Sequence, residues 1–86
     1  MTLSDLILKK GEIMLSQTLI EGTILDNSPF LYGIVQRVSD LTDMYAVDDY
    51  VLFDAGTATK FSLDGDYYYL TTEDNVYLTF INVTPP

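Results

Sequence analysis

The chain has 86 residues, 48% of them apolar, and carries 13 acidic groups against Lys9, Lys10, Arg37 and Lys60, for a formal net charge of −9. That length leaves room for one domain, residues 1–86, which buries only about 60–65% of its unfolded surface. Cysteine and histidine are both absent. Disulfide stapling, zinc–thiolate sites and imidazole catalysis are therefore excluded, and oligomerisation is left as the expected source of extra stability.

The acidic residues are spread along the chain, and four cations cannot neutralise a phosphate backbone, so neither nucleic acid nor an anionic membrane is an expected partner. No apolar run reaches transmembrane length. The N-terminal "MTLSDLILKK" places its lysines after the apolar residues, the reverse of a signal peptide, and a cytoplasmic location is expected.

In chain order, "LILKK" (6–10) reads as a strand or as a helical turn capped by Ser4 and Asp5. Residues 11–31 hold "EIML", "TLIEG" and "TILDNSPF", with no clear period. "YGIVQRVSD" (32–40) alternates as a strand. The second half reads as β structure: "YVLF" (50–53), "TKFSL" (59–63), "YYYL" (67–70) and "VYLTFINV" (76–83), each bounded by turn residues. Asp64-Gly65 is a tight-turn signal between two of these runs. In the last run Val76, Leu78 and Phe80 line one face and Tyr77, Thr79, Ile81 and Val83 the other, so burial on both faces is expected, within the domain or against a neighbouring subunit. Short strands at this spacing predict an all-β barrel or sandwich.

The paired carboxylates Asp48-Asp49, Asp64/Asp66 and Glu73-Asp74 fall in turn-like stretches, where solvated side chains are expected. None matches a calcium loop, and no phosphate-binding glycine loop is present. The sequence therefore predicts no catalytic residue, no metal site and no cofactor.

Residues 46–83, "AVDDYVLFDAGTATKFSLDGDYYYLTTEDNVYLTFINV", resemble the GroES-type co-chaperonin family. Val47-Asp48-Asp49-Tyr50-Val51-Leu52-Phe53 follows its V-x-x-G-D-x-V-x-F/L step. "GTATKFSLDG" follows its small-residue turn and next strand, and "TEDNVYLTFINV" its approach to the final strand. Upstream, "SDLILKK" is similar to the family's first strand and "GIVQRVSD" to its G-x-V-x-A-V-G strand. There are three departures: Asp48 replaces the glycine of the "VGD" step, "AVG" has become "RVS", and residues 40–47 are too few for the hairpin that roofs the dome in many bacterial members. Phage-encoded members are similar in lacking it, so the resemblance leaves both a host and a viral origin open.

The resemblance implies a small GroES-like β-barrel with a long mobile loop between the first two strands, at about residues 11–31. It implies a ring, heptameric in the family, that caps a GroEL-type chaperonin in an ATP-dependent way, encloses the folding chamber and assists protein folding in the cytoplasm (the host's, if viral). The family's loop docks through an apolar tripeptide after glycine. Gly22-Thr23-Ile24-Leu25 matches it by position; Ile13-Met14-Leu15, in "GEIML", is the second choice by letters. Either triplet could instead pack inside a β-hairpin. The implied subunit interface pairs the first strand, around Leu6, Ile7 and Leu8, with the neighbour's last strand, through Val76, Leu78, Phe80 and Ile81. The competing expectation is a small structural β-barrel of a larger assembly such as a virion, whose residues 11–31 would be packed.

Overall fold

The computed structural model describes residues 1–23, 25 and 29–83. A 3₁₀ turn at Leu3–Asp5 leads into six strands: β1 Glu12–Thr18, β2 Phe30–Val38, β3 Tyr50–Asp54, β4 Thr59–Leu63, β5 Asp66–Thr72 and, after a second 3₁₀ turn at Glu73–Asn75, β6 Val76–Phe80. They form one antiparallel sheet in the order β4-β5-β1-β2-β3-β6, so β4 and β6 are its edges. The fold is all-β, as the alternating and β-branched pattern required. Among the described residues no helix is long and apolar enough to cross a membrane.

The four strands expected in the second half are present. The Asp64-Gly65 turn joins β4 to β5 with both residues at positive φ, +52° and +88°, the two-residue hairpin geometry that matches strand twist. In the first half the strand expected at 32–40 is present as β2, and the departure lies before it. Residues 6–10 are not a strand, and the 3₁₀ turn before them starts from Thr2, whose N–H donates to the Asp5 carboxylate at 2.8 Å. The first strand is instead β1, which takes the "EIML" segment into the middle of the sheet. Ile13 and Leu15 enter the main core, while Met14 lies on the opposite face, across from Arg37 and Leu70. Arg37 donates to the Leu3 carbonyl and ties the N-terminal turn to that face.

The sheet curls over its inner face. Phe53 of β3 and Tyr69 of β5 are separated by β1 and β2 in the sheet, a span of about 14 Å in a flat sheet at the usual strand spacing. Their rings nonetheless meet edge-to-face at 5.4 Å. Ile13, Leu15, Val35 and Val51 fill the concavity with them. Gly33 makes the closure possible: a Cβ there would sit 2.9 Å from Phe53 Cε1 and 3.2 Å from Leu15 Cβ. Replacing Gly33 with Ala should therefore cost about 1–3 kcal/mol in urea unfolding, through overpacking in a closed core.

Asp48 lies at φ +79° in a turn closed by Asp49 N–H to the Ala46 carbonyl at 3.1 Å. A positive φ at that turn position favours glycine. Its own N–H donates to the Val35 carbonyl at 2.8 Å, a bond any residue can keep. Asp48→Gly should therefore stabilise the domain by about 0.5 kcal/mol, the relief of left-handed strain being partly offset by a freer unfolded chain, and raise the thermal midpoint by a few degrees.

Candidate functional site

The candidate site is the connection between β1 and β2, residues 19–29, together with the end of the curled sheet that it adjoins. β1 ends at Thr18 because the chain then turns: Ile20 to Thr23 forms a turn in which the Ile20 carbonyl accepts from Thr23 N–H at 3.3 Å and from Thr23 Oγ1 at 2.8 Å. Gly22 supplies the φ of +85° that the turn needs, and its Cα faces open space. At the other end of the connection the Pro29 carbonyl accepts from Ala55 N–H at 3.0 Å, which fixes where β2 begins.

Between the connection and the sheet lies an apolar cleft of about 1120 Å³. Ile20 and Leu25 line its loop side, and Leu31, Ala55 and Tyr69 its sheet side. Lys60 stands at the cleft with its ammonium 5.0 Å from the Tyr67 ring centre and 5.7 Å from that of Tyr69, within cation–π range.

The opposite end of the sheet is closed by polar groups. Gly11 N–H donates to Thr42 Oγ1 at 3.2 Å, Thr42 Oγ1 donates to Glu73 Oε1 at 3.1 Å, and Glu73 N–H returns to the Gly11 carbonyl at 2.9 Å. The short 39–49 connection is held there. Tyr45, within it, packs on the core, and burial raises its phenol above the ordinary value, with the Glu73 carboxylate adding to the rise.

The sequence-derived candidates fall in different places. Gly22 and Thr23 are exposed in the turn and Leu25 is half-buried on the cleft, whereas Ile24 lies outside the described residues. The second-choice triplet, Ile13, Met14 and Leu15, is 0, 1 and 0% exposed in β1, so it cannot meet a partner while the strand is formed. The long loop placed at 11–31 is correspondingly shorter, because β1 and the start of β2 occupy both its ends.

Leu6 and Leu8 are half-buried and Ile7 is 96% exposed. The segment that holds them leads into β1, which lies three sheet positions from β6. β6 itself is not buried on both faces. Val76 and Phe80 are half-buried, but Tyr77 and Leu78 are exposed and Ile81, just beyond the strand, is 82% exposed. Phe80 and Tyr77 of this edge strand make edge-to-face contacts with Tyr32 and Phe30.

Sequence reasoning did not single out Ile20, Lys60 or Thr42. Ile20 lies in an unpatterned run, and the only local signal is the glycine two residues later. Compared with protein-family models and with curated proteins, the sequence matches none.

The two apolar triplets should respond differently to substitution. Leu15→Ala should cost about 2–5 kcal/mol and can unfold so small a domain. Leu25→Ser, at a half-buried loop position, should move the urea midpoint far less, which a pair of equilibrium unfolding curves will show.

Proposed function

We propose that the chain is a co-chaperonin subunit, one of seven in a ring that caps a GroEL-type chaperonin, encloses its folding chamber during the ATP cycle and acts in the cytoplasm, the host's if the chain is viral. The observation that carries the reading is the position of Gly22, Thr23 and Leu25 between the first two strands, while the rival triplet is buried in β1. The resemblance over residues 46–83 supplies the rest.

The energetics suit a lid. Burying an Ile and a Leu yields roughly 1.5–3 kcal/mol each, and ordering the loop costs about 2–5 kcal/mol of that. A single loop binds weakly, and a ring presenting several together multiplies affinity by about 10²–10⁴. Weak individual contacts let the lid leave when the partner changes state. Ring closure would be head-to-tail, with the exposed edge of β6 and Ile81 taken up by the neighbour's segment around Leu6, Ile7 and Leu8.

A second reading, a structural β protein of a larger assembly, is favoured by one observation: Ile20, in the connection, is only 8% exposed rather than standing free. No catalytic role is proposed under either reading.

Native mass spectrometry separates them. Seven copies of the 9.7 kDa chain give 67.9 kDa. That species is expected, together with ATP-dependent chaperonin binding that drops by about 10²-fold or more when Ile24 and Leu25 are both changed to Ser. A monomer at all workable concentrations, or binding untouched by the double substitution, would overturn the co-chaperonin reading.

A further inference from the structure

One half of the sheet is apolar on its outer face as well as its inner one. By register, Tyr32 of β2, Leu52 of β3 and Leu78 of β6 stand side by side, and Ile34, Tyr50 and Phe80 form the next row. These six positions alternate with Gly33, Val35, Val51 and Phe53, which are buried on the inner side, so they point away from the core. None of the six is buried, and Leu78 is 54% exposed. The Tyr32 and Phe80 rings meet edge-to-face at 5.6 Å across β3. On β1 the same outer face carries Ser16 and Thr18, across from Ile34 and Tyr32, which is the polar pattern of a solvated face. The apolar character is therefore local to β2, β3 and β6.

We propose that this face is a contact between copies of the chain: β2, β3 and β6 of one copy stack on the same strands of a second across a twofold axis. Charge selects the occupant. Each copy carries a formal net charge of −9, so two copies repel over most of their surface. Residues 30–36, 50–53 and 76–81 hold no charged side chain, and copies meet there with the least repulsion. The nearest carboxylate in register is Asp54, across from Phe30, and it is engaged by the Gly56 N–H at 2.8 Å. Three of the six side chains are Tyr or Phe, the residues that interface cores favour. The patch is only three strands wide, less than the roughly 800 Å² each partner buries in a stable complex, so the pair is expected to be weak. The contact runs perpendicular to the sheet, whereas the proposed ring closes along the β6 edge; neither needs the other.

Sedimentation velocity on the full chain, from about 10 μM to about 1 mM, tests the contact. Paired species are expected to grow with concentration, at 2 × 9.7 = 19.4 kDa for two free chains or 14 × 9.7 = 135.8 kDa for two stacked rings. Leu78→Glu puts a carboxylate on the face of each copy and should weaken pairing at least about tenfold. Thr79→Glu, on the opposite face of the same strand, should leave pairing unchanged, whereas a contact through the β6 edge would feel both substitutions. Methyl NMR of the unaltered chain needs no variant to fold: the signals of Ile34, Leu52 and Leu78 should move with concentration and those of Val35 and Val51 should not. Equal loss of pairing in both variants, or a single mass with unmoved methyl signals at every concentration, would overturn the contact. So would a lasting monomer whose outer methyl signals move only on adding an anilinonaphthalene sulfonate dye, which would assign the face to another apolar partner. A species of 7 × 9.7 = 67.9 kDa alone would overturn the contact and keep the ring; one of 19.4 kDa alone would keep the contact and remove the ring.

Discussion

Everything in this domain depends on the approach of Phe53 to Gly33. Antiparallel sheets of six strands ordinarily twist, and a twisted sheet alone does not bring β3 onto β5. Here the missing Cβ of Gly33 leaves a shallow place on β2 where the Phe53 ring lies down, with Leu15 beside it and Tyr69 reaching across from β5. A side chain at position 33 would hold the ring off the strand. The concavity that Ile13, Val35 and Val51 fill would then widen, and the core of an 86-residue chain has no reserve with which to refill it.

The curl also decides what is left over. It draws apolar residues of β1, β2, β3 and β5 inward but does not pair β4 with β6, so two edges remain. On β4, Lys60 stands at the edge, a common protection against unwanted pairing. On β6, Tyr77, Leu78 and, beyond the strand, Ile81 are exposed, with no charge among residues 76–83. That uncharged, apolar edge is left uncovered within the chain, as is Ile7 at the other end of the sequence.

Much of the second half was legible in the sequence because its strands alternate and its turns carry Asp, Gly and Asn at positions with a defined backbone need. The Asp64-Gly65 hairpin is the clearest case, and Asp48 shows the same logic in reverse: the resemblance marks a glycine position, and the φ of +79° explains why glycine belongs there. β1 was not legible because Ile13, Met14 and Leu15 are all buried, alternately on two faces, so no polar residue marks the period. β6 misled for the converse reason: two apolar faces read as burial, yet burial needs a neighbour, and a sheet edge within one chain does not supply one. Of the candidate site, Gly22 and the residues around it were visible as a turn, while the role of Ile20 depends on a cleft that exists only once β3 and β5 have come together.

The two ends of the curled sheet are closed by different physics, and the difference bears on which end can move. At one end Gly11, Thr42 and Glu73 share a ring of hydrogen bonds that includes a carboxylate; opening it strands part-buried donors and an acceptor at once, at a cost of about 1–3 kcal/mol for each group left unpaired. At the other end Ile20, Leu25, Leu31, Ala55 and Tyr69 line an apolar cleft, and widening it costs only the area returned to water, about 25 cal/mol per Å². A broken hydrogen-bond ring is not made good by an apolar surface. The fold therefore closes the end with the short 39–49 connection by polar groups and leaves the other end lined by apolar ones.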